Sequence, residues 1–225
     1  MSEATTAPPL VPILIFGAVV AAVGIGVSLA YAYEKKRTAA LADACLRMGF
    51  DFQPKVPKER IPTLGSFHLF NVGRGRSGFN LMTGKADGAP VSIFDYRYTV
   101  GGGKSSHTFV QTVAVFPGVG GLPEFVLAPE HWWDKLGQAL GMRDINFEAS
   151  PEFSKSYILK GPDEARIRTA FGAEALGFLA QNPAWSVEVK GDAILIYRLG
   201  SRPKVEEMPQ FVAEVAAVRR ALVHD

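Results

Sequence analysis

The sequence predicts an α+β fold: an N-terminal transmembrane helix followed by a mostly antiparallel sheet domain with packed helices. Three observations predict it. Leu10 to Tyr33 carries no charged side chain and ends at Glu34-Lys35-Lys36-Arg37. Downstream, alternating or β-branched segments are separated by glycine and proline turns. Amphipathic helical stretches stand among them without the βαβα alternation of a doubly wound sheet.

The apolar run comes first. At ~1.5 Å rise per residue, Leu10–Tyr33 can cross a bilayer core of ~30 Å with some tilt. Met1 to Pro9 is a polar tail with Glu3 and no Lys or Arg. Ala30-x-Ala32 resembles a small-residue cleavage site, but a signal peptide wants its positive charges before a shorter apolar core. Lys35, Lys36 and Arg37 follow the run, which by the positive-inside rule leaves the N-terminus outside and the domain cytoplasmic, at the inner (plasma) membrane. Ala18, Ala22, Gly26 and Ala30 recur every fourth residue and offer a small-residue face to another helix.

The chain has 225 residues, 48% hydrophobic and 20% charged, which fits one span plus a globular domain. Cys45 is the sole cysteine, so no internal disulfide forms. From Lys35 to Lys104 there are 12 Lys/Arg against 5 Asp/Glu, and from Ser105 to Asp225 12 against 15. The membrane-proximal half is therefore basic, as suits a surface near anionic headgroups. The organisation reads as tail 1–9, span 10–33, membrane-proximal helix and Pro-rich linker 34–62, and α+β domain 63–225, with candidate subdomains 63–143 and 144–225.

Glu34 to Met48 continues as a helix with Ala40, Leu41, Ala44 and Met48 on one face and Gly49 as its stop. Cys45 packs there as a small hydrophobe. Asp51 to Pro62, with Pro54, Pro57 and Pro62, reads as an extended linker. Phe67–Val72, Gly78–Thr83, Pro90–Val100 and Thr108–Phe116 are strand candidates, with Asp87-Gly88 as a turn. Phe125–Leu127 is a short strand, and Pro129-Glu130 opens a short helix lined by Trp133, Leu136 and Leu140. Asn146–Glu148 and Ser156–Leu159 are further strands. Pro162-Asp163-Glu164 opens a helical region to Gln181, broken near Gly172. Ser186–Lys190 and Ala193–Leu199 form a hairpin around Gly191-Asp192. Glu207–Val223 closes the chain as a helix with Phe211, Val215, Val218 and Leu222 on one stripe.

Few motifs point to chemistry. Gly73-Arg74-Gly75-Arg76-Ser77-Gly78 fits G-x-G-x-x-G, but a dinucleotide site needs a helix next, and FNLMTG reads as a strand. It is better taken as a glycine-rich, doubly basic β-loop; Arg74 and Arg76, with Lys104, are the candidates for an alternative role at lipid phosphates. Gly101-Gly102-Gly103-Lys104-Ser105 lacks the first glycine of a phosphate-binding loop and reads as a hairpin loop. His68, His107, His131 and His224 form no metal-ligand spacing, and no nucleophile elbow is present. Within Phe94-Asp95-Tyr96-Arg97-Tyr98, Asp95 and Arg97 project to one face and the tyrosines to the other. Asp95, Arg97 and His107 are the candidate polar site.

The segments IFDYRYTVGGGKSSHTFVQTVAVF, LPEFVLAPE, PEFSKSYILKGPDEARIRTAF and WSVEVKGDAILIYR together resemble an uncharacterised family of bacterial single-span membrane-anchored proteins. The second half also resembles a bacterial domain-of-unknown-function module. The resemblance covers roughly Phe67 to Leu199, implies a bacterial inner-membrane protein and carries no activity with it.

The sequence thus supports a non-enzymatic, single-pass membrane protein whose domain binds a protein partner, as an accessory or structural subunit of a membrane complex. No cofactor or metal is expected, and nucleic acid is not, because the overall charge is balanced. Two alternatives stay open: a ligand-binding or enzymatic domain around Asp95, Arg97 and His107, and a reader of anionic headgroups.

Overall fold

The computed structural model describes residues 10–57, 65–130 and 144–223. The tail Met1–Pro9, the linker end at Pro62, the helix reading over Trp133–Leu140, His131 and His224 lie outside the described residues. The chain forms two compact units, Met1–Ala40 and Leu41–Asp225.

The first unit is dominated by helix α1, Leu10–Met48, which runs on past Ala40 without a break. From Leu14 to Tyr33 its apolar side chains are exposed: Phe16 and Tyr31 are each 72% exposed and Leu14 70%. Among the described residues one helix is long and apolar enough to cross a membrane. The last turns of α1 belong to the second unit, where Leu41 and Cys45 are buried. Gly49 takes φ 72° and lets the Phe50 amide bond back to the Cys45 carbonyl at 2.9 Å. That left-handed closure is the stop the sequence signals.

The second unit is built on one eight-stranded sheet in the order β1-β2-β3-β4-β8-β7-β5-β6. The strands are β1 Asp51–Lys55, β2 Arg74–Ala86, β3 Ala89–Val100, β4 His107–Pro117, β5 Phe125–Pro129, β6 Tyr157–Lys160, β7 Ser186–Lys190 and β8 Ala193–Tyr197. Every neighbouring pair is antiparallel. Between and after the strands come α2 Pro151–Ser156, α3 Glu164–Ala170, α4 Ala173–Gln181 and α5 Met208–Leu222. Asp163 caps α3 by accepting from the Arg166 amide at 3.0 Å, and Gly172 separates α3 from α4.

Both faces of the sheet are covered, and the pleat sorts the side chains between two cores. On the helical face, Ile93, Ala114, Phe116, Val187 and Ile196 pack with Leu41, Phe171, Leu179, Phe211 and Val215. On the other face, Phe94, Tyr96, Tyr98, Val113 and Leu195 pack with Phe67, Leu69 and Phe70 from the loop before β2. Phe70 meets Tyr96 edge-on at 4.7 Å between centroids, and Tyr96, Tyr98 and Phe109 continue as a stack.

Several expectations are corrected. Asp51–Lys55 is a strand and not free linker; Pro54 is tolerated because β1 is an edge strand. Phe67–Val72 holds a single 3₁₀ turn, Leu69–Asn71, instead of a strand. Pro129 ends β5. Asn146–Glu148 is not a strand; the neighbouring Ile145 amide donates to the Leu159 carbonyl at 2.8 Å and covers the outer edge of β6. The candidate cut at 143/144 does not separate two bodies, because β4 lies beside β8, and β5 lies between β6 and β7. β2 also starts earlier than Gly78 and holds a bulge at Phe79–Met82, where Asn80 adopts φ 55°.

Candidate functional site

Asp95, Arg97 and His107 are not brought together. Asp95 pairs with Thr112 across β3–β4 and projects to the helical face with Arg97, two residues on. His107 pairs with Val100, five residues from Asp95, and so projects to the opposite face. Odd separation along a pleated strand fixes that parity. His107 is exposed and sits edge-on to Phe109 at 4.5 Å.

Asp95 is instead the centre of a structural latch. It is 1% exposed. Its Oδ1 accepts from Thr112 Oγ1 at 2.7 Å, and its Oδ2 from Asn80 Nδ2 at 3.0 Å and Arg202 Nε at 3.0 Å. The bulge that gives Asn80 its positive φ therefore also supplies a donor. Arg202 lies after β8, so the ion pair ties the segment following the sheet back onto β3. Arg97 and Arg202 both stand over the Phe79 ring, at 5.2 and 5.4 Å from its centroid.

The second buried carboxylate is Glu188 on β7, which the sequence reading passed over. It is 1% exposed and faces the aromatic core. Its oxygens accept from the His68 amide at 2.6 Å, the Leu69 amide at 3.1 Å and Tyr197 Oη at 3.0 Å. Burial pushes the Glu188 carboxyl up, against the opposing pull of His68 and these donors. Burial likewise raises Tyr197 well above its ordinary value, with Glu188 adding to the effect, and pushes Tyr96 up to about 12. The hydroxyls of Tyr96 and Tyr98 are buried and unpartnered in the same layer.

Glu188 also forms the floor of a cleft of about 220 Å³ bounded by His68, Asn71, Glu124, Lys160 and Lys190. Glu124 and Lys190 bridge its rim at 2.5 Å. The cleft has mixed charge, and its central carboxylate already accepts from three donors in the protein. Glu188 there holds the 66–71 loop against the sheet.

The remaining sequence candidates divide by role. Arg74 and Arg76 are exposed at the start of β2; an Arg74 guanidinium nitrogen donates to the Gly101 carbonyl and Arg76 Nη1 to the Phe70 carbonyl at 2.8 Å. Lys104 lies in the β3–β4 loop. Ala18, Ala22, Gly26 and Ala30 are exposed on α1, and a Cβ on Gly26 would meet nothing within 4 Å. Lys35, Lys36 and Arg37 follow one another on α1, and Lys35 and Lys36 are exposed. Cys45 is buried, its thiol pushed up to about 11 by burial, the opposite of an activated nucleophile.

No protein-family model and no curated protein matches the chain. Among solved structures, the crystal structure of the mycobacterial trehalose monomycolate transport factor A, TtfA, is similar at a TM-score of 0.58 and 12% identity, over 82% of this chain and 95% of that one. At that identity the likeness concerns the fold alone.

Proposed function

We propose that this chain is a membrane-anchored, non-catalytic accessory protein whose α+β domain binds a protein partner within a membrane complex. The observation that carries the reading is α1, whose apolar side chains from Leu14 to Tyr33 stand exposed over several turns. A helix of that composition is satisfied by lipid or by other helices, not by water. The positive charges after the run orient it with the domain on the cytoplasmic side of the inner membrane. Two further features support a binding role. The buried carboxylates Asp95 and Glu188 both fasten loops to the sheet. A protein of similar fold is, by its description, a transport factor, which favours a place beside a transport process.

The test is purification of the full chain in mild detergent with native mass measurement. The expected result is a stoichiometric complex with a second component, weakened by Ala22→Leu with Gly26→Leu on the small-residue face of α1. A free monomer throughout, indifferent to those changes, overturns the reading.

A further inference from the structure

We propose that one end of the sheet, formed by residues 72–77 and 99–107, is a docking face for an anionic bilayer surface. Strand register places the two stretches together: Arg74 pairs with Thr99, and Val100 with His107. Between Val72 and Thr108 the only acidic residues are Asp87 and Asp95. Asp87 lies at the far turn of the β2–β3 hairpin and is ion-paired with Arg220, while Asp95 is buried against Arg202. The exposed charge these strands present at this end is therefore positive.

The arginines here keep that charge. Arg168, Lys190, Arg198, Arg202 and Arg220 are each paired with a carboxylate, whereas Arg166, like Arg74 and Arg76, donates to a backbone carbonyl. Arg74 and Arg76 donate to backbone carbonyls, and Arg97 lies over the Phe79 ring. A carbonyl fixes a guanidinium in place without cancelling it, and most of its five N–H donors remain available.

The backbone makes this end low and firm. Gly73 and Gly101 have φ of 65° and 75°, and a Cβ on either would stand 2.4 Å from the Thr99 carbonyl oxygen or 2.5 Å from that of Ser105. Bare glycine loops beside held guanidinium groups suit a broad, flat array of phosphates better than a grooved duplex. The same chain supplies the surface: a domain tethered to a spanning helix meets headgroups at high effective concentration, so attraction that is weak per charge suffices.

This inference rests on the membrane anchoring proposed above. It is tested on the full chain in nanodiscs, with no partner present, by amide hydrogen exchange. One set of discs is phosphatidylcholine and the other an equimolar mixture with phosphatidylglycerol. Exchange at 72–77 and 100–107 is expected to slow in the anionic discs, with the protection falling roughly fivefold for each charge removed in Arg74→Gln and Arg76→Gln. It is expected to vanish at about 0.5 M salt, a readout on the unaltered protein that decides the matter should the variants misfold. Equal exchange in the two discs overturns the proposal and leaves the anchor standing, whereas failure to enter discs overturns both. Protection by a DNA duplex but not by anionic lipid overturns it in favour of a nucleic-acid face.

Discussion

Among the described residues the two faces of the sheet each bury one carboxylate, and they hold it differently. On the helical face, Asp95 meets a cation, Arg202, with Thr112 and Asn80 completing its shell. On the aromatic face, Glu188 is held by two backbone amides and one phenol. The first is an ion pair whose partner side chain is 14% exposed. The second is a carboxyl buried under the 66–71 loop, at the floor of the cleft. Breaking an ion pair strands the other charge; removing a lone carboxylate strands the backbone donors it gathered. Both tie a segment remote in sequence to the sheet, Arg202 to β3 and His68-Leu69 to β7.

Substitutions separate the two designs. Glu188→Ala leaves the His68 and Leu69 amides and the Tyr197 hydroxyl without an acceptor, and is expected to lower stability by ~4 kcal/mol in chemical denaturation. It is also expected to free the 66–71 loop, read as faster amide exchange there. Asp95→Ala strands Arg202, which can partly reach water, so a smaller loss of ~3 kcal/mol is expected. If Asp95→Ala proves the costlier, the ion pair matters more than the carboxyl under the loop. Gly161→Ala probes the wall of the Glu188 cleft without touching charge. Its new methyl would stand 2.3 Å from Ile167 Cδ1 and 2.5 Å from the Glu124 carbonyl oxygen. Overpacking of that kind is expected to cost ~2 kcal/mol, read as a lowered denaturation midpoint.

The smallest effect is the pH dependence. Because burial raises the Glu188 carboxyl, the folded state takes up its proton at a higher pH than the unfolded chain does. Its contribution to stability is full below the unfolded value and is lost as pH rises through the folded one. The unaltered protein is therefore expected to lose stability with rising pH above about 4.5, by at most ~1.4 kcal/mol per unit, relative to Glu188→Gln. Parallel stability curves for the two proteins would show that Glu188 is ionised in both states across that range.

Much of this arrangement was legible in the sequence. The Gly191-Asp192 turn marked β7–β8, Gly172 marked the break between α3 and α4, and Phe211, Val215, Val218 and Leu222 marked the buried stripe of α5. Glu188 was not legible, for a physical reason. In Ser186-Val187-Glu188-Val189 the alternation says that Glu188 faces away from the valines, but not whether that side is wet. Here it is covered by Phe67, Leu69 and Phe70, contributed from over a hundred residues earlier. His107 failed as a partner of Asp95 because the loop between them hides the register, and register decides the face. β1 was hidden by Pro54, which among Pro57 and Pro62 reads as linker although a proline is tolerated in an edge strand.

That edge has a consequence for recognition. The sheet ends in β1, whose Pro54 offers no amide hydrogen, and in β6, whose outer side is already taken by the Ile145 amide and by Asp144 Oδ1, which accepts from the Leu159 amide. Neither rim is a free template for an added strand. A visiting polypeptide meets an interrupted ladder there, so side chains carry more of its recognition. Specificity then resides in the exposed residues of the helices and loops, where a single substitution can redirect it without disturbing the scaffold beneath.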